Sequence, residues 1–124
     1  MTSLRLSTLP HTWLIDVDGV IVPHNSHLRG DESLLPGVRE LWATIPAEDR
    51  IVLLSARGEE HRVATLTLME AHGLRVDHTL FGLPPGERIL INDTKPGGLR
   101  TALAIDVARD AGLADIVVEL SPDL

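Results

Sequence analysis

Short apolar runs alternate along this chain with longer stretches of helical periodicity, and this alternation is the feature that most constrains the fold. The apolar runs are too short for helices and end at polar or turn residues, so they predict buried strands. The predicted strands lie at 13–15, 51–54, 79–81, 88–91 and 116–118. The predicted helices lie between Pro36 and Pro46, at 59–72 and at 99–111.

Strands that alternate with helices of this length form right-handed βαβ units. The sequence therefore predicts an α/β fold, a Rossmann-like three-layer α/β/α arrangement with a mostly parallel five-stranded sheet. The chain has 124 residues, a length that predicts one domain over 1–124. Residues 1–10 contain Thr, Ser and Pro and predict a loose N-terminal lead-in.

Composition excludes several classes of function. The formal net charge is −7 and aromatic residues make up 2% of the chain, so we expect no nucleic-acid partner. Cysteine is absent, which excludes thiolate metal sites and Cys nucleophiles. Without a long apolar run or a secretory pattern, we expect a cytoplasmic protein with no membrane partner.

Polar side chains follow three of the predicted strands at the point where each strand ends. Asp16-Val17-Asp18-Gly19 follows the first, Ser55 the second and Asp93 the fourth. In parallel sheets the carboxyl ends of the strands line the ligand crevice. The sequence therefore predicts that these residues converge on one site, although they are far apart along the chain.

This set of motifs resembles the haloacid dehalogenase superfamily, most of whose members transfer phosphoryl groups. The resemblance spans about residues 13–118, and the intervals between the motifs leave no room for a cap domain. It implies a small, capless, Mg²⁺-dependent phosphatase that forms an aspartyl-phosphate. The expected substrate is a small phosphorylated metabolite such as a sugar phosphate.

The chemistry of the residues agrees with this resemblance. Asp16 suits the nucleophile, and Asp18 could protonate the leaving oxygen and then activate water. Asp16, the Asp18 carbonyl and Asp93 offer the oxygen ligands that Mg²⁺ prefers. We expect the phosphate or substrate to be bound by Ser55, Ala56, Arg57, Gly19 and Asn92.

The resemblance also implies a cation beside the nucleophile, and two residues compete for that role. Lys95 is the single lysine in the chain and follows Asp93 by two residues, at the expected end of the fourth strand. Arg88 stands at the start of the same strand. We assign the role to Lys95 as a third catalytic residue and keep Arg88 as the alternative.

A second reading is a catalytically silent module that binds a phosphorylated ligand or a protein. It is motivated by Asn92, where many relatives carry an acidic residue, and by the unusual position of Lys95. A capless site must also be shielded from water. We therefore expect a homodimer or higher homo-oligomer, with the loop at residues 23–35 near the partner.

Overall fold

The computed structural model describes residues 1–30 and 32–124. In chain order, the strands and α-helices of these residues are β1 (Thr2–Leu6), β2 (Thr12–Asp16), α1 (Val38–Thr44), β3 (Arg50–Leu54), α2 (Arg62–Ala71), β4 (His78–Leu80) and β5 (Ile116–Leu120). Two 3₁₀ helices add to them, Ser26–Leu28 in the loop between β2 and α1 and Glu59–His61 just before α2. No helix in the described residues has the length and apolar character needed to cross a membrane.

Strands β2, β3 and β4 form a parallel sheet in that order. Their carboxyl ends are aligned, because Asp16 lies opposite Leu54 and Leu54 lies opposite Leu80. Helix α1 connects β2 to β3, and helix α2 connects β3 to β4. The prediction of an α/β fold with parallel strands is therefore confirmed.

A second, two-stranded parallel sheet pairs β1 with β5. The prediction of a loose lead-in over residues 1–10 was wrong, because Thr2–Leu6 forms β1. Leu6 is buried and lies opposite Leu120, and its carbonyl accepts a 2.8 Å hydrogen bond from the Ser121 N–H. The partner strand comes from the far end of the chain, so local composition could not reveal the pairing.

Residues 88–91 and 99–111 form neither the strand nor the helix that their patterns predict. The side chains of Ile89 and Ile91 are 83% and 89% exposed. A strand is stabilised by its neighbours in a sheet, and an amphipathic helix by the surface that it covers, so a local pattern does not suffice for either. The five observed strands thus lie in sheets of two and three strands.

The core lies between the three-stranded sheet and the two helices. Helix α1 contributes Val38, Leu41 and Trp42, and α2 contributes Met69. The remaining buried hydrophobic members of this cluster are Ile15, Val17, Ile21, Val22, Ile45, Ile51, Leu53, Leu74 and Leu113. The helices predicted from Pro36 and Glu59 are present, with α-helical bounds shorter than expected.

The two faces of the three-stranded sheet are covered unequally. Ile15 and Leu53 lie opposite each other and point into the core, as does Ile51. The alternate positions point to the other face, where Leu14 and Leu80 are about half exposed. One apolar face of the sheet is therefore partly open to solvent.

Candidate functional site

The candidate site lies at the carboxyl end of the three-stranded sheet. Asp16 is the last residue of β2, and Ser55 directly follows β3. Ser55 is buried, its N–H donates to the Leu80 carbonyl at 2.9 Å, and its carbonyl accepts from the Leu83 N–H at 3.0 Å. The predicted convergence of the residues after β2 and β3 is therefore present.

Asp16 is partly exposed and carries a cation beside its carboxylate. Its Oδ1 accepts a hydrogen bond from the Val17 N–H at 3.0 Å and lies 3.0 Å from Nη1 of Arg88. Within the described residues, no hydrogen bond reaches Oδ2. The second carboxylate oxygen is thus left to interact with another group.

A tight turn after β2 sets the position of Asp18. Gly19 adopts a φ of 80°, and its N–H donates to the Val22 carbonyl at 2.7 Å. A side chain at Gly19 would come within 3.3 Å of Arg109, and the Gly19 carbonyl accepts from the Asp110 N–H at 2.9 Å. Glycine is needed here by both the backbone conformation and the close approach of residues 109–110.

Asp18 forms a forked ion pair with Arg57. Nε of Arg57 lies 3.3 Å from Oδ1 and 3.1 Å from Oδ2, and Nη2 lies 2.9 Å from Oδ1. The Arg57 backbone N–H also donates to Oγ of Ser55 at 3.0 Å. The motifs after β2 and β3 are therefore linked through one arginine.

The Arg57 side chain is only 1% exposed and reaches two further groups. Its Nη1 donates to Oγ1 of Thr65 at 3.0 Å, and its Nη2 lies 2.7 Å from Oε1 of Glu32. Burial by itself lowers the pKa of Arg57, but hydrogen bonds and charge from Asp18 and Glu32 outweigh burial and raise it above its usual value. The guanidinium therefore stays charged and joins three segments of the chain.

Glu32 and Thr65 are site residues that the sequence did not indicate. Glu32 lies in a loop without periodicity, and Thr65 lies on the buried face of α2, where a hydroxyl resembles any other small core residue. Recognising Arg57 as buried would have indicated them, because a buried guanidinium needs several acceptors.

Two histidines border this cluster. The rings of His27 and His61 pack edge to face with centroids 4.6 Å apart. Nδ1 of His27 is buried, has no hydrogen-bond partner among residues 1–30 and 32–124, and lies 3.9 Å from Oδ1 of Asp18. Burial, and next the charge of Arg57, lower the pKa of His27, so its ring is neutral at neutral pH.

In the part of the chain that the structure describes, the site residues predicted after the fourth strand make no hydrogen bond or ion pair with Asp16, Asp18 or Arg57. Asn92 donates from Nδ2 to the Thr101 carbonyl at 3.3 Å, and the Thr101 hydroxyl donates to the Asp93 carbonyl. The Lys95 N–H donates to the Leu99 carbonyl at 3.1 Å. These contacts form an exposed turn over residues 92–101, and it is Arg88 that contacts Asp16.

The predicted magnesium ligands do not form a set in this arrangement. Among residues 1–30 and 32–124, no group of three His, Asp or Glu side chains is placed to hold a metal ion. Asp16 and Asp18 each face an arginine, and Asp93 belongs to the 92–101 turn. A Mg²⁺ site built from Asp16, Asp18 and Asp93 would therefore require a different placement of residues 92–101.

Comparison with protein-family models, with curated proteins and with solved structures gave no match. The chemistry of the site is defined by the chain's own residues. At one end of a parallel sheet it combines three carboxylates, two guanidiniums and a buried serine hydroxyl.

Proposed function

We propose that this protein is a phosphatase that hydrolyses phosphoric monoesters through Asp16. The observation that carries the proposal is the grouping of Asp16, Asp18, Ser55 and Arg57 at the carboxyl end of the parallel sheet. Such a site offers a carboxylate nucleophile together with donors for phosphoryl oxygens. It also agrees with the resemblance to the haloacid dehalogenase superfamily.

In the proposed reaction, Oδ2 of Asp16 attacks phosphorus and the bond from phosphorus to the ester oxygen breaks. Asp18 takes up a proton from solvent as the substrate binds and Arg57 turns towards the phosphoryl group, and it then donates this proton to the departing oxygen. Water then attacks the aspartyl-phosphate, Asp18 takes the water proton, and inorganic phosphate leaves. Arg57 and the Ser55 hydroxyl bind phosphoryl oxygens, which requires that Arg57 gives up part of its present contacts.

We extend the proposal to the finer fold, a single parallel sheet with helices on both faces. Within the described residues, one edge of β2 and one edge of β5 have no strand partner. Residues 88–91 have the apolar pattern of a strand that would fill this gap, and pairing would bury the exposed Ile89 and Ile91. Strand β1 would remain as an additional edge strand beside β5.

The handedness of the connections supports this arrangement. The connections through α1 and α2 run from β2 towards β4, and both helices pack on one sheet face. A connection from 88–91 to β5 would run across the sheet in the opposite direction. Because such crossovers are right-handed, the connecting segment 99–111 would then lie on the opposite face of the sheet. That face carries the half-exposed Leu14 and Leu80.

Amide hydrogen exchange tests this arrangement. We expect slow exchange at residues 89–91, comparable with that of β3, because paired strand amides are protected. Exchange at the rate of an unstructured peptide would contradict the single sheet and leave two separate sheets.

The same pairing would bring Asp93 and Lys95 beside Asp16 and move Arg88 to the start of the strand. Asp93 would then complete an oxygen ligand set, and bound Mg²⁺ would neutralise charge on the phosphoryl oxygens. We therefore include a Mg²⁺ requirement in the proposal. Slower exchange at residues 89–93 when Mg²⁺ is added to the apo protein would support it, and no change would oppose it.

Phosphate release from a panel of small phosphate esters tests the activity. We expect turnover with Mg²⁺, reversible loss with EDTA and no turnover by Asp16→Asn, because an amide cannot act as the nucleophile. Asp115→Asn is the matched control, since Asp115 is an exposed residue outside the site. Turnover that survives in Asp16→Asn would overturn the assignment of the nucleophile.

A silent phosphate-binding module is the second candidate, favoured by one observation. Asp16 and Asp18 are both engaged by arginines, which is also how a purely structural site would hold its carboxylates. Calorimetry with a phosphorylated ligand that shows binding, in a protein with no turnover on the panel, would support this candidate.

The remaining parts of the proposal concern partners. We propose a small phosphorylated substrate, no nucleic acid or membrane partner, a cytoplasmic location and a homodimer or higher homo-oligomer that shields the site from water. Light scattering at micromolar concentration tests the assembly. A strictly monomeric protein that hydrolyses a small ester would contradict the need for a partner.

A further inference from the structure

We propose that Glu32 occupies the anion-binding position of Arg57 when the site is empty, and that a phosphoryl dianion displaces it and releases the loop between β2 and α1. This inference rests on the proposed function for the class of ligand. Its observation is the contact of 2.7 Å between Nη2 of Arg57 and Oε1 of Glu32. We call this contact the Glu32 latch.

Because Arg57 is buried, an incoming anion reaches its guanidinium most readily at the Glu32 contact. The Arg57 side chain is 1% exposed, so an anion reaches its guanidinium only by replacing a present partner. Nη1 faces Thr65 on the buried side of α2, and Nε faces Asp18. Glu32 contacts Nη2 and its side chain is 21% exposed, compared with 16% for Asp18, which contacts the same donor at 2.9 Å. Of the two carboxylates on Nη2, Glu32 is therefore the more exposed one.

Glu32 is also the weaker of the two carboxylate partners. Asp18 makes three contacts with the guanidinium and is fixed by the turn after β2, where it forms a bridge to Val22. Glu32 makes one contact with Arg57, from a long side chain in an irregular loop. A hydroxyl contact from Ser26 at 3.5 Å adds little to it. An incoming anion therefore displaces Glu32 before Asp18.

Because both are negatively charged, the Glu32 carboxylate and a phosphoryl dianion cannot pair with Arg57 at the same time. Arg57 carries one positive charge and already faces two carboxylates. A phosphoryl dianion beside both would add like charges at contact distance, which is strongly unfavourable in a partly buried site. Exchange of Glu32 for the dianion keeps Asp18 paired and gives the phosphoryl oxygens a preorganised donor.

Arg29 provides a natural reporter of loop release. It is exposed and lies between the Ser26–Leu28 turn and Glu32, and Gly30 follows it. Trypsin cleaves after Arg29 only when the loop opens far enough to enter the protease. When reclosing is fast, the rate of cleavage reports the population of the open loop. Mass spectrometry of peptides that end at Arg29 distinguishes this cleavage from cleavage at the exposed arginines Arg88, Arg100 and Arg109.

The experiment compares three proteins in phosphate and in chloride buffers of equal ionic strength. In the wild-type protein, millimolar inorganic phosphate should accelerate cleavage after Arg29. Glu32→Gln should cleave about tenfold faster in chloride, the factor expected for loss of one charge-assisted hydrogen bond, and should respond little to phosphate. Glu48→Gln changes an exposed glutamate outside the site and should behave like the wild-type protein.

Two results would overturn the latch. One is slower or unchanged cleavage of the wild-type protein in phosphate, and the other is wild-type cleavage of Glu32→Gln in chloride. Both measurements are independent of turnover. Phosphatase activity without phosphate-induced cleavage would disprove the latch alone, and a functioning latch without turnover on any ester would disprove the phosphatase alone.

Discussion

Asp49 is buried at the opposite end of the sheet from the candidate site, and its replacement tests how the amino end of β2 is held. The side chain is 1% exposed. Its Oδ1 accepts from the His11 N–H at 3.0 Å, and its Oδ2 accepts from Nε1 of Trp13 at 2.9 Å and lies 2.8 Å from Nδ1 of His11. One carboxylate thus ties the start of β2 to the loop that precedes β3.

Asp49→Asn preserves the shape of this side chain and removes one acceptor. In either orientation of the amide, its NH₂ group faces the His11 N–H or the Trp13 indole N–H, so one buried donor loses its partner. An unsatisfied buried donor costs about 1–3 kcal/mol. For 124 residues, an unfolding entropy of about 0.26 kcal/mol/K converts this cost into a fall in Tm of about 4–12 °C.

The effect should depend on pH in a defined direction. Burial alone would raise the pKa of Asp49, but hydrogen bonds from Trp13 and His11 outweigh burial and hold that pKa below its usual value of 3.8. The contribution of the carboxylate to stability is therefore complete above the unfolded-state pKa. It is lost as the pH falls through the lower folded-state pKa.

Thermal unfolding followed by circular dichroism at pH 7 and at pH 3 measures both effects. The difference in Tm between the wild-type protein and Asp49→Asn should be large at pH 7 and smaller at pH 3. Asp115→Asn, at an exposed position, should leave Tm within about 2 °C of the wild-type value, as most surface substitutions do. A Tm for Asp49→Asn equal to that of this control would show that the hydrogen bonds to Asp49 do not stabilise the fold.

Two further predictions use paired variants. Gly37→Ala should lower the free energy of unfolding, measured by chemical denaturation, far more than Gly73→Ala. Both glycines have positive φ, so both substitutions strain the backbone. A Cβ at Gly37 would also lie 2.2 Å from the Ala114 nitrogen, whereas nothing lies within 4 Å of a Cβ at Gly73. Equal losses of unfolding free energy in the two variants would show that backbone strain, and not the contact with Ala114, causes the destabilisation. Lys95→Ala should reduce phosphate release much more than Arg88→Ala if residues 88–91 pair as a strand, and the reverse order would assign the catalytic cation to Arg88.

Part of the site could be predicted from the sequence because its residues are adjacent to predictable strands. The apolar runs before Asp16 and Ser55 are short and end at polar residues, and parallel strands align their carboxyl ends. Both motifs are therefore predicted at one edge of the sheet. The contact from Arg57 to Glu32 is not predictable, because no periodicity in the loop between β2 and α1 specifies where a long side chain reaches.

Local patterns in the sequence are enough to predict β2, β3, β4 and β5, the helices α1 and α2, and the polar residues that follow the strands. Apolar periodicity and proline or glycine at element ends act over a few residues, so they are readable without a fold.

Tertiary contacts, and no local pattern, set which segments pair across long separations. Leu6 lies opposite Leu120 in the sheet, and Asp49 reaches back to His11 and Trp13. The strand pattern at 88–91 stands unpaired, although it resembles the patterns that became β2 and β3. A strand is stable only where a neighbouring strand forms hydrogen bonds with its backbone, and a charged side chain is buried only where partner groups surround it. Both therefore depend on residues that lie far along the chain.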